Sequence, residues 1–537
     1  MQKKPIGHIL SGSLAEGFTM RIKGSVALEE IKTGKFVSIV SNHYTFFSLI
    51  TDLTLAVTDP DILLFPPSAQ ETLLLDLLKT KDIYATAHLR PMLMVNNRQE
   101  IMPVKTIPSH FCPVYEATHE DVALIFGDER DVSKRYFSIG NPVDMKTPVC
   151  LDLDRLTERS NGIFGKTGTG KTFLTRLVLA GLIKQEKAVT LIFDMHSEYG
   201  LQARTENKSA SFVKGLKTLF PTKVVIFSLD PSSTRRRGAA ADVELLISYH
   251  EIGIEDILSL QEELNLHATA VEAAYLIAAR YKQDWLQTLL MQGERLKEFA
   301  QELGAHPESI AALYRKLKRI EHLPFFKPTD YQTAKKASAI DQMMEYIDRG
   351  ITIIVEFGNF TSSFCYLLVA NIITRRIHHE FVNKTERYLG SGRMQQEPKK
   401  LMICIEEAHK FLNPSAARQT IFGTIAREMR KYYVSLLVVD QRPSGIDSEI
   451  ISQIGTKIVA QLNDEKDIQA VLTGVTNATQ LRTIIGSLDS KKQILLLGHA
   501  IAMPVVVQTR EYNEDFYKAM SEEIVYKNID EVINELF

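Results

Sequence analysis

The feature that most constrains this chain is an eight-residue run, Gly165-Lys166-Thr167-Gly168-Thr169-Gly170-Lys171-Thr172, which matches G-x-x-x-x-G-K-[ST] in full. Glycines at these places let a loop turn its backbone amides inward on phosphate oxygens. The helix that follows offers its positive end to the same anion. Asn161-Gly-Ile-Phe164 leads in as a short strand, and Phe173 to Ile183 leads out as a helix. A strand, a glycine loop and a helix in that order call for an α/β fold of the P-loop NTPase kind. Residues 165–173 are then expected to hold ATP. Lys171 would neutralise its outer phosphates, and Thr172 would offer its hydroxyl to Mg2+.

Such a loop needs an acid at the end of a neighbouring strand. Leu401-Met-Ile-Cys-Ile405 is followed by Glu406-Glu407. The first carboxylate is expected near the metal, and the second is expected to orient or deprotonate the attacking water. Glu406 stands where many P-loop enzymes carry Asp. Asp194, closing the apolar run Val189-Thr-Leu-Ile-Phe193, is a further candidate for the metal shell or the water. Gln441, after Leu436-Leu-Val-Val439, suits a sensor of the γ-phosphate. Arg427 and Arg430 lie three apart and so share a helix face, from which either suits a neighbouring subunit's ATP.

The chain's 537 residues exceed one compact core. Residues 1–115 read as short strands separated by turns, a small β-barrel with one helix over 68–80 and a proline-bearing linker (Pro91, Pro103, Pro108, Pro113). Residues 116–240 and 341–503 alternate apolar strands with helices, as a parallel sheet covered on both faces requires. Between them, 241–340 reads as a helical insertion, with Ile310, Leu313, Leu317 and Ile320 on one face and Pro307 in a first turn. Residues 504–537 form a C-terminal tail. No apolar run is long enough to cross a bilayer, no leader opens the chain, and four scattered cysteines fit a reducing compartment, so a cytoplasmic protein is expected. A net charge of −2 leaves no bulk basic footprint for nucleic acid.

Taken in order, Gly-Lys-Thr-Gly-Thr-Gly-Lys-Thr, Asp-Met-His-Ser-Glu-Tyr-Gly, Glu-Glu-Ala-His-Lys-Phe, Arg-Glu-Met-Arg-Lys-Tyr and Gln-Arg-Pro resemble the HerA DNA translocases. The resemblance covers nearly the whole chain and implies a RecA-like core behind that family's N-terminal barrel. It also implies a homohexameric ring related to the FtsK-type motors, double-stranded DNA in its channel, and a NurA nuclease partner in end resection. By matched position Lys171 and Thr172 would bind nucleotide and Glu407 would be catalytic. Arg430 falls near the family's trans-acting arginine, although Met429 stands where Gly is common, which leaves Arg427 open as well. Arg159 matches an arginine near the subunit boundary, and the tail after Pro504 would brace a neighbour. Phosphate contacts are expected from Lys208, Lys214 and Lys217, or from Arg235-Arg236-Arg237 in a later loop. Two alternatives stay open: a ring ATPase of a defence or DNA-transfer system, and a scaffold that binds nucleotide without turning it over.

Overall fold

The computed structural model describes residues 5–59, 61–64, 83–131, 133–143, 145–201, 203–204, 212–328, 338–428, 431–475, 478–489 and 492–521. The helix expected over 68–80, Lys208 and Arg430 lie outside them. Two compact units partition the chain: Met1–Leu156 with Phe164–Gly170 and Gly455–Glu511, and Thr157–Ile163 with Lys171–Ile454 and Tyr512–Phe537.

The first unit opens with seven strands: β1 (Gly7–Ser13), β2 (Gly17–Ile22), β3 (Phe36–Val40), β4 (Tyr44–Val57), β5 (Ile83–Asn96), β6 (Ile101–Met102) and β7 (Pro113–Glu116). Their order is β2-β1-β7-β3-β4-β5-β6, and β2 also pairs with β5, so every strand but β6 joins a closed ring. Closure leaves those strands without an open edge, as a barrel must. Alternate residues point inward, and Ile9, Phe18, Met20, Val37, Ile39, Phe46, Ile50 and Leu89 meet in an apolar core. The expected proline linker is corrected at two points. Pro91 pairs with Ser48 inside β5, where the register slips, and Pro113 begins β7. A bulge or a first position spares proline the ladder hydrogen bond it cannot donate.

Next come β8 (Tyr136–Pro142) and β9 (Val149–Asp152), and then the second unit's parallel sheet. Its long strands are β10 (Asn161–Phe164), β11 (Val189–Asp194), β14 (Val224–Ser228), β18 (Thr352–Glu356), β19 (Leu401–Glu406) and β20 (Val434–Asp440). One shorter strand, β15 (Val243–Glu244), joins the same sheet, while β12 (Ala203–Arg204) with β13 (Phe212–Val213) and β16 (Ile247–Ser248) with β17 (Phe326–Lys327) form separate two-stranded sheets. The order β15-β14-β18-β11-β19-β20 is parallel throughout. The helical run at 241–340 is present, with helices Ala268–Tyr281 and Pro307–Leu317, and Ile310, Leu313, Leu317 and Ile320 are all fully buried.

The first unit ends in β21 (Thr456–Val459), β22 (Gln493–Gly498) and β23 (Val505–Thr509), where β23 pairs antiparallel with both β22 and β8. Val507 and Gln508 are thus paired on both edges inside the chain. No helix among the described residues is long and apolar enough to cross a membrane.

Candidate ATP-hydrolysis site

The phosphate loop, Gly165–Gly170, lies in the first unit. Gly168 and Gly170 have φ of 79° and 81°, a region that other residues enter at a cost. Gly165 needs its missing side chain for a different reason: a Cβ there would sit 2.8 Å from both Ala460 Cβ and Thr169 Oγ1. The Lys166 amide donates to Gln461 O at 3.0 Å, and the Thr169 hydroxyl closes the turn on Lys166 O at 2.7 Å. Thr167 is exposed and Thr169 buried. The chain then enters the helix Lys171–Gln185 of the second unit, where Lys171, Thr172 and Phe173 are half-buried in the first turn. Arg159, also half-buried, stands just ahead of β10.

At the other strand ends the pattern is regular. In the neighbouring strands β18, β11, β19 and β20 the last residue is acidic every time: Glu356, Asp194, Glu406 and Asp440. Carboxyl ends of parallel strands are where open α/β sheets bind ligands. Each acid is answered differently.

Asp194 is fully buried, and its oxygens accept the backbone amides of Glu198 and Tyr199 at 2.8 Å and of Gly200 at 3.4 Å. Burial, helped by the charge of Glu356, pushes its carboxyl up to about 7. Asp194 was expected near the metal or the water. Here it caps the turn that follows its strand, and its lone pairs are taken by amides. Arg176, on the phosphate-loop helix, holds the same turn by donating to Glu198 O. His196 and Glu198 belong to this turn, with His196 exposed.

The product of that turn is the position of Tyr199, whose hydroxyl donates to Glu406 Oε1 at 2.6 Å. A second buried tyrosine, Tyr366, bonds the Glu406 backbone with its hydroxyl, accepting from N at 3.1 Å and donating to O at 3.2 Å. Burial raises the Glu406 carboxyl to about 8 against the Tyr199 hydrogen bond, with Asp194, Glu198 and Glu407 adding repulsion. Glu406 Oε2 is shielded from solvent and has no hydrogen-bond partner among the described residues. A buried carboxyl oxygen without a partner fits a divalent cation, whose charge would favour the ionised form.

Glu407 follows with φ of 49°, a left-handed conformation costing on the order of 1–3 kcal/mol for a non-glycine residue. Gln441 Nε2 donates to its two oxygens at 3.3 and 3.4 Å. Asp440 Oδ2 accepts the His409 amide at 2.6 Å, and its two oxygens lie 3.1 and 3.0 Å from His409 Nδ1.

Of the arginines, Arg427 is engaged within the chain, donating Nη1 to Ala417 O at 3.0 Å with Nε 3.6 Å from Glu449. Among the basic candidates, Lys214 faces Glu514 at 3.7 Å and Lys217 pairs with Asp242 at 3.0 Å. Arg235-Arg236-Arg237 is not a loop as expected. Asp230 caps, and Pro231 opens, a helix over Pro231–Arg236, which fixes this segment. Arg237 reaches the fully buried Glu356 at 2.7 Å, while Arg235 and Arg236 stay exposed. Sequence reasoning missed Tyr199, Tyr366, His409 and Glu356. Tyr199 and His409 lie within the motifs it read, but nothing local marks them as partners of an acid.

A glycine loop opening a helix, with a parallel sheet whose neighbouring strands end in acids, defines a P-loop ATPase. Residues 137–377 match the family described as the helicase HerA central domain. The chain is 23% identical over 408 residues to the DNA double-strand break repair helicase HerA of Sulfurisphaera tokodaii, covering 74% of this chain and 73% of the relative. Its counterpart from Saccharolobus solfataricus is 24% identical, over 79% and 77% of the two chains. Among solved structures, VirB4 of Thermoanaerobacter pseudethanolicus aligns over 71% of this chain and 98% of its own, at 14% identity and a TM-score of 0.45.

Proposed function

We propose that this chain hydrolyses ATP to drive double-stranded DNA through a homohexameric ring, working with a NurA-type nuclease in the resection of broken ends. The observation that carries the reading is the pair Glu406-Glu407 at the end of β19, one carboxylate held with an orphaned oxygen and the next turned aside by a left-handed backbone. The relatives' printed names, double-strand break repair helicases, support the DNA substrate.

In this reading residues 165–173 cradle ATP, with Lys171 on its outer phosphates and Arg159 near a subunit boundary. Thr172 and Glu406 would hold Mg2+, which when bound offsets phosphate charge; Asp194 orders the turn behind them. Glu407 takes the proton of the attacking water, and Gln441 keeps its carboxylate aimed. Arg427 is engaged in its own chain, so Arg430 is the stronger candidate for a neighbour's ATP.

The test is ATP turnover with and without linear double-stranded DNA and the nuclease, in wild type, Glu407→Gln and Arg430→Ala. Stimulation by DNA, with a loss of about 100-fold or more in Glu407→Gln, is expected. Robust turnover indifferent to DNA would remove the DNA substrate. Binding of ATP without turnover under every condition would leave a scaffold.

A further inference from the structure

Next to Glu407 stands a polar pair to which the reaction above gives no task. Asp440 is fully buried, yet its carboxylate is saturated: it accepts the amides of His409 and Arg442, each at 2.6 Å, and faces His409 Nδ1 at 3.0 and 3.1 Å. Three constraints on one carboxylate leave the imidazole a single orientation. In that orientation Nδ1 also lies 3.6 Å from Glu407 Oε2. Glu407 itself is only loosely tied, by amide contacts of 3.3 and 3.4 Å from Gln441. A carboxylate on a left-handed residue with two long hydrogen bonds needs a nearby charge to settle its direction.

We infer that the Asp440–His409 pair is a positioning unit for Glu407: Asp440 locks the imidazole, and the imidazole aligns the carboxylate that activates water. The inference rests on the proposed catalytic role of Glu407. The electrostatics agree with the geometry. The hydrogen bond to Asp440 raises the His409 pKa against desolvation, with Asp440 and Glu407 adding attraction and Lys410 opposing. His409 also lines a cavity of about 310 Å3 shared with Glu262, Glu263, Lys410 and Ser363. Lys410 donates to Ser363 Oγ at 3.0 Å. The cavity exceeds the size of a free imidazole, which makes the pair open to chemical rescue.

Turnover and ATP affinity are measured in wild type, His409→Ala, Asp440→Asn, Glu407→Gln and the double variants, with and without added imidazole. His409→Ala and Asp440→Asn each lower kcat about tenfold or more, KM for ATP stays within about twofold, and their combination is no worse than either alone. Imidazole restores part of the rate to His409→Ala. In the Glu407→Gln background neither change lowers the residual rate further. A parallel rise in KM, loss of folding in both single variants, or additive effects with Glu407→Gln would overturn the pair's role. Full activity in Glu407→Gln would instead remove the catalytic assignment on which the pair depends. If Glu407→Gln is inactive and His409→Ala keeps wild-type kcat, only the positioning inference fails.

Discussion

The barrel and the parallel sheet differ in whether their strands bury acids. Inside the barrel the core cluster is apolar throughout, with Phe18 and Phe46 edge to face at 6.3 Å, and the polar side chains its strands bury are Ser38, Ser48, Thr51 and Arg90, none of them an acid. The parallel sheet is equally apolar along its strands, yet β18, β11, β19 and β20 each finish on an acid in or near the interior. Burying a carboxylate is unfavourable unless something answers it. The sheet answers each in its own way: Arg237 for Glu356, amides for Asp194, a tyrosine for Glu406 and a histidine for Asp440. The strand ends of the sheet tolerate the unfavourable burial of acids, which keeps carboxyl groups where chemistry can use them.

Three measurements would break or sharpen this contrast. The largest effect is expected in the barrel: Phe46→Ala removes a buried ring and costs about 3–5 kcal/mol. Thermal unfolding should show it, while kcat of the protein that remains folded stays within about twofold of wild type. A comparable loss of kcat would show that the barrel takes part in the chemistry. At the strand ends, Tyr199→Phe leaves Glu406 Oε1 without its donor and costs about 1–3 kcal/mol. Mg2+ titrations of nucleotide binding should shift severalfold to higher concentration. An unchanged titration would mean that Tyr199 only fills space.

The smallest effect is on stability against pH. Asp194 and Glu406 have folded pKa values of about 7 and about 8, above the ordinary carboxylate values near 4. Between those limits the folded chain binds more protons than the unfolded one, so stability falls as pH rises from about 4 towards about 8. Melting of the nucleotide-free protein should drop between pH 6 and pH 9, and Asp194→Asn should flatten the drop. A rising melting temperature over that range would contradict the burial of these acids.

Much of the parallel sheet was legible because each strand is a short apolar run closing on a polar residue. Val189 to Phe193 and Leu401 to Ile405 needed extension by one residue, the acid itself. The helix after the phosphate loop was legible for the same local reason. Barrel closure was not, since β2 meets β5 through a pairing that no local pattern encodes. Nor was the place of Arg237, whose triplet was expected to meet phosphate from a loop. Its partner Glu356 lies 119 residues away, and no local pattern links the two. The proline run was misread because proline marks a turn locally, whereas bulges and strand starts accept it once neighbours are known.

By itself the sequence determined the glycine loop, because Gly168 and Gly170 alone among the common residues adopt its positive φ freely, and it determined that acids close the apolar strands. Only the tertiary structure decided what each acid does. Whether a carboxylate holds a turn, meets a tyrosine or locks a histidine depends on which distant groups share its low-dielectric surroundings, and those are brought together by packing. Asp440 and His409, 31 residues apart and each unremarkable where it stands, become a pair beside Glu407 only when β19 and β20 lie side by side.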